Sequence, residues 1–422
     1  MKRVPDESGA VLSDGGETMK LPDVIDPLLF LAIDNCFCSK RWTRPCDWMP
    51  LIRTLGLSSV EASADTECDP LYLGEAYMLD WVCQVLELKE TTGVHVANLY
   101  SGHGTYSTIG LTHTDVRVRK HFRDQWICRQ ADTAAQLGAG IGFFAHAFSE
   151  PILQDAQWYG RTLEALHEDL AHIAQHAAAV GAKAASLEQM YTPHQPPWTI
   201  EGAERMLRAV VSGGATPFYL TLDLGHMNGQ RHFLKPSLDQ VLDWLERTKA
   251  GEACGRIWLG PDRAFGFFRK AVQGSITNRE ALDRIQESIH AFGHLFSSPA
   301  DGDVHAWLRR FGRYSPIIHL QQSDGLSSPH WPFSEAFNRT GIIQGRAVLE
   351  SLAASYSQPL EEGMPPPCGT IHLTLEPFIG TAEDKHEALE NISESIRYWR
   401  RLVPRDGIRL SEALVRMKEG GS

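Results

Sequence analysis

The sequence predicts an α/β protein folded as a closed barrel of eight parallel strands, each followed by at least one helix. Eight short apolar segments alternate along the chain with longer segments in which apolar residues have helical spacing. Four of the later apolar segments end in a carboxylate or an imidazole, and active sites in such barrels form where the strands end. No glycine-rich phosphate-binding turn follows the first segment, which disfavours the alternative, an open doubly wound sheet.

The eight strands are predicted from short apolar runs that stop at turn-forming or polar residues. They are predicted at 27–33, 59–62, 93–100, 141–147, 184–190, 217–223, 317–321 and 369–376. The run 217–223 is typical of the set. It is mostly apolar, as expected of a buried strand, and it ends at Asp223. His226 follows in the next loop, so both side chains are expected to face one space beyond the strand.

The helices between the strands are predicted from apolar residues three and four positions apart. They are expected at 47–56, 73–90, 116–137, 158–180, 199–211, 237–247, 303–311, within 323–357, and at 384–402. Asp47 is the expected N-cap of the first helix, and Gly181 is the expected stop of the fourth. A proline-rich stretch at 359–368 cannot continue the helix before it.

The domain organisation predicted from these segments is a flexible N-terminal tail and one barrel. Residues 1–27 are rich in glycine, serine and acidic residues and form the expected tail, and 28–422 form the barrel. The alternation is interrupted between His226 and His319, where the chain is far longer than one helix and one loop require. Residues 229–302, with several aromatic residues near Trp258, are therefore predicted to be an insertion that folds over the barrel.

The composition limits the classes of partner. The chain has 422 residues, 43% of them hydrophobic and 22% charged, which is ordinary for a globular protein. Its net charge of −12 disfavours a nucleic-acid partner, because phosphate backbones bind basic surfaces. No apolar run approaches the roughly 20 residues that cross a bilayer. Eight dispersed cysteines and a polar N-terminus favour reduced thiols, and so a cytoplasmic protein without a membrane partner.

Four residues at the ends of strands five to eight form a candidate metal site: Glu188, Asp223, His319 and Glu376. A single acidic residue at a strand end is more often a salt-bridge or capping residue. Four that converge place several negative charges together, which is unfavourable unless a cation compensates them. Three carboxylates and one imidazole suit a divalent ion, with Mn²⁺ the first candidate and Mg²⁺, Co²⁺ or Zn²⁺ as alternatives.

The segment Leu222–Asn228 resembles the LDxxHMN signature of ketose 3-epimerases of the D-tagatose 3-epimerase type, a family of xylose isomerase-like TIM barrels. This resemblance implies that Glu188, Asp223, His319 and Glu376 bind the metal and that His226 contacts a substrate oxygen. Three features depart from the family pattern: the long insertion, the lack of an arginine soon after His319, and His194 where a second glutamate is usual. The substrate therefore stays open.

The predicted reaction is isomerisation or epimerisation of a small sugar or sugar phosphate, with Glu188 and Glu376 as the base and acid that move a proton. A metal-dependent lyase that dehydrates a keto-inositol is the alternative on the same scaffold. Further substrate contacts are expected from His103, Gln321 and Asp324, each of which has loop structure as its other explanation. His226 is alternatively an orienting partner of Asp223. Homo-oligomers, usual among relatives, are expected.

Overall fold

A computed structural model describes residues 25–63, 67–102, 107–214 and 216–419. Eight parallel strands close into a barrel in the order β1 to β8, since β1 pairs with both β2 and β8. The strands are β1 Leu28–Asp34, β2 Ser59–Ser63, β3 His95–Ser101, β4 Gly140–Phe143, β5 Ala185–Glu188, β6 Tyr219–Asp223, β7 Ile317–Leu320 and β8 Thr370–Leu375. The predicted barrel is therefore confirmed.

The helices lie between the strands, and most cover the outside of the barrel. They are α1 Pro45–Thr54, α2 Glu75–Thr92, α3 Val116–Phe122, α4 Cys128–Leu137, α5 Glu150–Leu153, α6 Ala156–Val180, α7 Ile200–Gly214, α8 Met227–Gln230, α9 Leu238–Lys249, α10 Asp262–Val272, α11 Asn278–Ala291, α12 Val304–Phe311, α13 Glu335–Asn338, α14 Gly345–Tyr356, α15 Lys385–Arg400 and α16 Leu410–Glu419. Leucine, isoleucine and valine side chains of the strands pack against these helices in one continuous core.

Several element boundaries differ from the predicted ones for local reasons. The first helix begins at Pro45 rather than at a cap by Asp47, because proline suits the first helical position, where no N–H is needed. Strand β4 ends at Phe143, whereas the apolar run continues to Ala147. His146 has φ of 67° in that run, a left-handed conformation that no strand tolerates. Gly181 does end α6, in the left-handed conformation expected of such a stop.

A ninth strand was not predicted. Strand β9, Ile408–Arg409, pairs antiparallel with Leu28 and Leu29 of β1. Strand β2 pairs with β1 only from Ala32 onward, so β9 covers the first half of β1 that β2 leaves without a partner.

The segment between β6 and β7 contains helices α9, α10 and α11, of which only α9 was predicted. These helices have a hydrophobic core of their own, in which Phe268 and Ile285 pack with Phe148 and Ile152 beside α5. The segment therefore packs against the chain at α5 and α6. Residues 1–24 of the tail predicted at 1–27 lie outside the described residues. The bounds of 229–302 as an insertion remain a prediction.

A network of charged side chains joins α7, α12 and the connector after α14. The carboxylate of Glu361 accepts hydrogen bonds from Arg208, Arg310 and Arg313, at 2.9, 2.8 and 2.9 Å respectively. The side chain of Arg313 is only 1% exposed, and its guanidinium also donates to two backbone carbonyls. Glu361 therefore provides the main negative charge that compensates the buried guanidinium of Arg313.

Replacing Glu361 with alanine is expected to lower the free energy of unfolding by about 2 kcal/mol, because it leaves the buried Arg313 without its carboxylate. Urea unfolding followed by circular dichroism measures this change. The matched control is Glu201→Ala, since Glu201 also pairs with an arginine but is 85% exposed. The control should change the free energy of unfolding by less than about 0.5 kcal/mol. Equal effects of the two variants would contradict the assigned role of Glu361.

Candidate active site

The four predicted metal-binding residues lie at the carboxyl ends of neighbouring strands. Glu188 and Asp223 are the last residues of β5 and β6, His319 lies in β7, and Glu376 follows β8 directly. The strand register places Asp223 beside His319. Because parallel strands meet at one end of the barrel, these side chains converge there, and each is at most 5% exposed.

The distances between these side chains are those of a compact ligand group. Ligand atoms of Glu188, Asp223 and His319 all lie within 4.8 Å of one another. Glu376 joins them, since its Oε2 is 3.3 Å from Nδ1 of His319. The same Nδ1 is 3.3 Å from Oε1 of Glu188. The structure therefore brings together all four residues that the sequence singled out.

The hydrogen bonds of His319 fix the orientation of its ring. Its Nε2 lies 2.8 Å from Oε2 of Glu61, a carboxylate on β2 that is 1% exposed. The other oxygen of Glu61 accepts from Nδ2 of Asn98 at 2.7 Å. An ionised Glu61 only accepts hydrogen bonds, so Nε2 carries the hydrogen and Nδ1 faces Glu188 and Glu376.

This arrangement fits a divalent cation. When His319 is neutral, its Nε2–H donates to Glu61 and its Nδ1 presents a lone pair to two carboxylates, and such a group of acceptors is stable only with a positive charge between them. The buried Oε2 of Glu376 makes no hydrogen bond of good geometry among the described residues, although Nδ1 of His319 and Nδ1 of His330 each lie 3.3 Å away, so it is available as a ligand. A histidine that binds a metal usually donates its other ring N–H to a carboxylate, a backbone carbonyl or a water, and Glu61 is such a carboxylate.

The charges in this cluster shift its ionisation in the metal-free chain. Burial raises the pKa of Glu376, despite the opposing effect of His319 and His330. Burial also favours the neutral carboxyl of Asp223, but the nearby rings of His226, His330 and His319 outweigh it and lower its pKa to about 2. Burial lowers the pKa of His319, yet Glu376 and Glu61 reverse this and hold it well above its usual value.

Asp223 is held in place by the loop that follows it and by Gln321. Its Oδ1 accepts from the N–H of Gly225 at 2.6 Å, and both of its oxygens accept from Nε2 of Gln321, at 2.7 and 2.8 Å. A Cβ at Gly225 would lie 2.3 Å from the Gln321 side chain, so only glycine allows this approach. Gln321 was predicted to bind substrate, but it is fully buried and instead orients Asp223.

His226 contributes both to the metal cluster and to the cavity beside it. Its Nδ1 is 2.8 Å from the carbonyl oxygen of Gln189, so the hydrogen lies on Nδ1. Its Nε2 is 3.6 Å from Oδ2 of Asp223, and its ring packs against Tyr191. Both predicted roles, substrate contact and partner of Asp223, are compatible with this position.

A cavity of about 360 Å³ opens beside the cluster. Glu188, His226 and Glu376 line it, together with Asp34 and Tyr100, which the sequence did not single out. The hydroxyl of Tyr100 donates to Glu188. No lysine or arginine is among the described residues that line the cavity. The cavity is therefore acidic and small.

His330 is a further cavity residue that the sequence did not reveal. Its Nδ1 is 3.3 Å from Oε2 of Glu376, and its ring stacks on Phe378 at 3.8 Å with an interplanar angle of 7°. Burial lowers the pKa of His330, but Glu376 outweighs this and raises it to about 9. The only available signal in the sequence was the pair His330-Trp331 in a long loop, and Trp331 does not line the cavity.

The remaining predicted residues do not join the cavity. His103 lies outside the described residues. Asp324 is absent from the cavity lining, and its Oδ1 accepts from the backbone N–H of Leu326, so it shapes the loop. A larger cleft of about 1010 Å³ lies between α6, α7 and the segment before β7, and Tyr159 and His294 stack within it. None of the four converging residues lines that cleft, whereas Glu188 and Glu376 line the smaller cavity.

Comparison with known proteins agrees with this fold. The model of the family described as xylose isomerase-like TIM barrel matches residues 50–252. A segment of 103 residues is 33% identical to D-erythrulose 1-phosphate 3-epimerase from Brucella abortus (strain 2308). That segment spans 24% of this chain and 30% of the relative. The resemblance inferred from the segment around Asp223 is therefore confirmed.

Two solved structures are among those similar to this chain. A protein provisionally named xylose isomerase from Rhodospirillum rubrum ATCC 11170 has a TM-score of 0.58, with 14% identity over 88% of this chain and 98% of that chain. L-ribulose 3-epimerase has a TM-score of 0.48, with 15% identity over 93% of this chain and 94% of that chain. The TM-score of 0.58 supports a common fold and leaves the reaction to be argued from the site. Among the described residues, no helix is both long and apolar enough to span a membrane.

Proposed function

We propose that this protein is a divalent-metal-dependent epimerase or isomerase of a small ketose, and that it moves a proton on a carbon next to the carbonyl group. The observation that carries the proposal is the pair Glu188 and Glu376, which reach one point from β5 and β8 and both lie 3.3 Å from Nδ1 of His319. The similarity to D-erythrulose 1-phosphate 3-epimerase supports the same reaction class.

Glu188, Asp223, His319 and Glu376 would hold the metal. A divalent cation bound there supplies electrostatic stabilisation of the negative charge that develops on the substrate oxygens when the neighbouring C–H bond loses its proton. Asp223 and His319 are fixed by Gln321 and Glu61, so they serve as rigid supports. Glu188 and Glu376 face the cavity and are the groups available for proton transfer.

One of these glutamates takes the proton and the other returns it. Return to the opposite face of the same carbon gives an epimer, and return to the adjacent carbon gives the isomeric aldose. Tyr100 donates to Glu188, and His330 lies beside Glu376, so each glutamate has its own orienting partner. Without a metal, burial raises the pKa of Glu376, which makes its carboxylate a stronger base than an exposed one.

The charge of the cavity favours an unphosphorylated sugar. Its described lining has carboxylates and no lysine or arginine to bind a phosphate. The two undescribed segments that follow Ser63 and Gly102 in the sequence, 64–66 and 103–106, also contain neither residue. A volume of about 360 Å³ suits a small sugar. The D-erythrulose 1-phosphate named for the relative is therefore the less favoured substrate here.

The test is incorporation of solvent deuterium by the Mn²⁺-loaded protein into free ketoses and into their 1-phosphates, D-erythrulose 1-phosphate included. We expect label at one carbon with no other change of mass, and at least a 10-fold higher kcat/KM for a free ketose than for its phosphate. A higher kcat/KM for the phosphate would reject the proposed substrate form but retain the reaction. Loss of water from the product would instead identify the alternative lyase.

A further inference from the structure

Asp34 is a buried carboxyl in the same cavity that neither the metal group nor the proposed proton transfer uses. It is the last residue of β1, at the same end of the barrel as the metal-binding residues. It is 1% exposed and lines the cavity together with Tyr100 and Glu376. With Glu188 and Glu376, Asp34 is thus the third carboxyl group around a small cavity that has no lysine or arginine in its described lining.

The two oxygens of Asp34 have different surroundings. Oδ1 accepts from the backbone N–H of Cys36 at 2.6 Å, which caps the short turn after β1. Oδ2 is buried and has no hydrogen-bond partner among the described residues. Buried polar atoms in native proteins are nearly always hydrogen-bonded, so a buried oxygen without a partner next to a cavity points to a ligand.

The structural role of Asp34 does not account for Oδ2. Capping the turn requires one oxygen, which asparagine or serine would supply without a second buried oxygen. Glu61, a neighbouring carboxylate, shows the contrast, because its two oxygens accept from Asn98 and His319. Asp34 therefore retains one hydrogen-bonding oxygen on the β1 side of the cavity.

We propose that Asp34 determines substrate specificity by binding one hydroxyl group of the sugar through Oδ2. The identity of the ligand as a sugar rests on the proposed function, whereas the contact itself rests on the geometry of Asp34. A hydroxyl both donates and accepts, so it pairs with the carboxyl in either ionisation state. A hydrogen bond to such a group changes affinity by about 10-fold to 100-fold.

The experiment compares sugars with and without each hydroxyl. Calorimetry measures binding of D-fructose, D-tagatose, D-psicose and L-ribulose, and of their monodeoxy analogues, to the Mn²⁺-loaded wild type and to Asp34→Ala. We expect the variant to bind the preferred ketose at least 10-fold more weakly. For the one analogue that lacks the paired hydroxyl, wild type and variant should agree within about 2-fold. A merely structural role would weaken binding of every sugar equally, and that outcome would overturn the proposal.

Two further variants separate loss of the Asp34 contact from a general loss of folding. Asp34→Asn keeps an oxygen for the N–H of Cys36, so it should melt like the wild type yet bind the ketose at least 5-fold more weakly. Asp303→Asn is the matched control, since Asp303 also accepts a backbone N–H two residues ahead, from His305 at 2.9 Å, and does not line the cavity. It should bind like the wild type. Wild-type binding by Asp34→Asn and Asp34→Ala together would overturn the proposal.

Failure of the proposed function gives a different result. If sugars bind with the expected hydroxyl dependence but no deuterium is incorporated, the reaction is wrong and the Asp34 contact stands. If deuterium is incorporated and the Asp34 variants keep the wild-type preference among analogues, the reaction stands and the contact is wrong. If none of the four ketoses binds, both are rejected for this class of sugar.

Discussion

Replacing either Glu188 or Glu376 with glutamine should lower solvent-deuterium incorporation by about 10³-fold or more, because an amide cannot take up or return a proton at neutral pH. Both side chains face the cavity and lie 3.3 Å from the same nitrogen of His319. Each would therefore act on the same bound sugar, and the loss of one interrupts the transfer. The two single variants should be nearly as inactive as the double variant.

The measurement must separate loss of the proton carrier from loss of the metal. Glutamine keeps an oxygen that can act as a ligand, so bound Mn²⁺ is quantified for each variant and the exchange rate is compared at saturating Mn²⁺. Circular dichroism checks that the barrel remains folded. The control is Glu335→Gln, on the surface at 81% exposure, which should exchange like the wild type. Exchange at the wild-type rate by Glu188→Gln or Glu376→Gln would remove that residue from the proton-transfer role.

The convergence of Glu188, Asp223, His319 and Glu376 was predictable because each residue follows a local sequence pattern. Glu188 and Asp223 end apolar runs, and an apolar run in an alternating chain is a strand whose end lies at the active-site side of the barrel. Parallel strands meet at one end, so the four residues could be placed together without any knowledge of side-chain distances. The same reasoning located the barrel itself.

The residues that surround the metal group were not predictable in this way. Glu61 meets His319 across 258 positions of sequence, and only closure of the barrel brings β2 and β7 within reach of one another. Asp34 and Tyr100 also belong to the first strands, whose ends carry no metal ligand. His330 lies in a long loop without periodicity, and its position depends on stacking against Phe378. Spacing along the chain carries no information about such contacts.

The helices between β6 and β7 were predicted only in part, and the reason is physical. Helices α10 and α11 are amphipathic, but their apolar faces pack against each other and α9 rather than against a strand. The aromatic residues near Trp258 therefore suggested an irregular insertion. The core of this segment includes Phe148 and Ile152, and its predicted place over the barrel stays a prediction.

Glu61→Gln should weaken the affinity for Mn²⁺ by about 10-fold to 100-fold, the usual effect of removing a carboxylate that supports a histidine ligand. Glu61 accepts from Nε2 of His319 at 2.8 Å, which leaves Nδ1 facing Glu188 and Glu376. Its negative charge makes the ring a stronger electron donor. A neutral amide accepts the same hydrogen bond more weakly, and it also presents a donor toward Asn98, which now donates to Glu61.

The protein is first stripped of metal with a chelator, which should reduce deuterium incorporation to background, and activity is then titrated with Mn²⁺. The concentration of Mn²⁺ that restores half of the activity should be 10-fold to 100-fold higher for Glu61→Gln, with a similar maximum rate at saturation. Glu67→Gln is the matched control, because Glu67 also accepts from a ring N–H, that of Trp48 at 2.6 Å, and does not line the cavity. A lower maximum with an unchanged midpoint would instead make Glu61 part of the proton transfer. An unchanged titration would remove His319 and its carboxylate partner from the metal site.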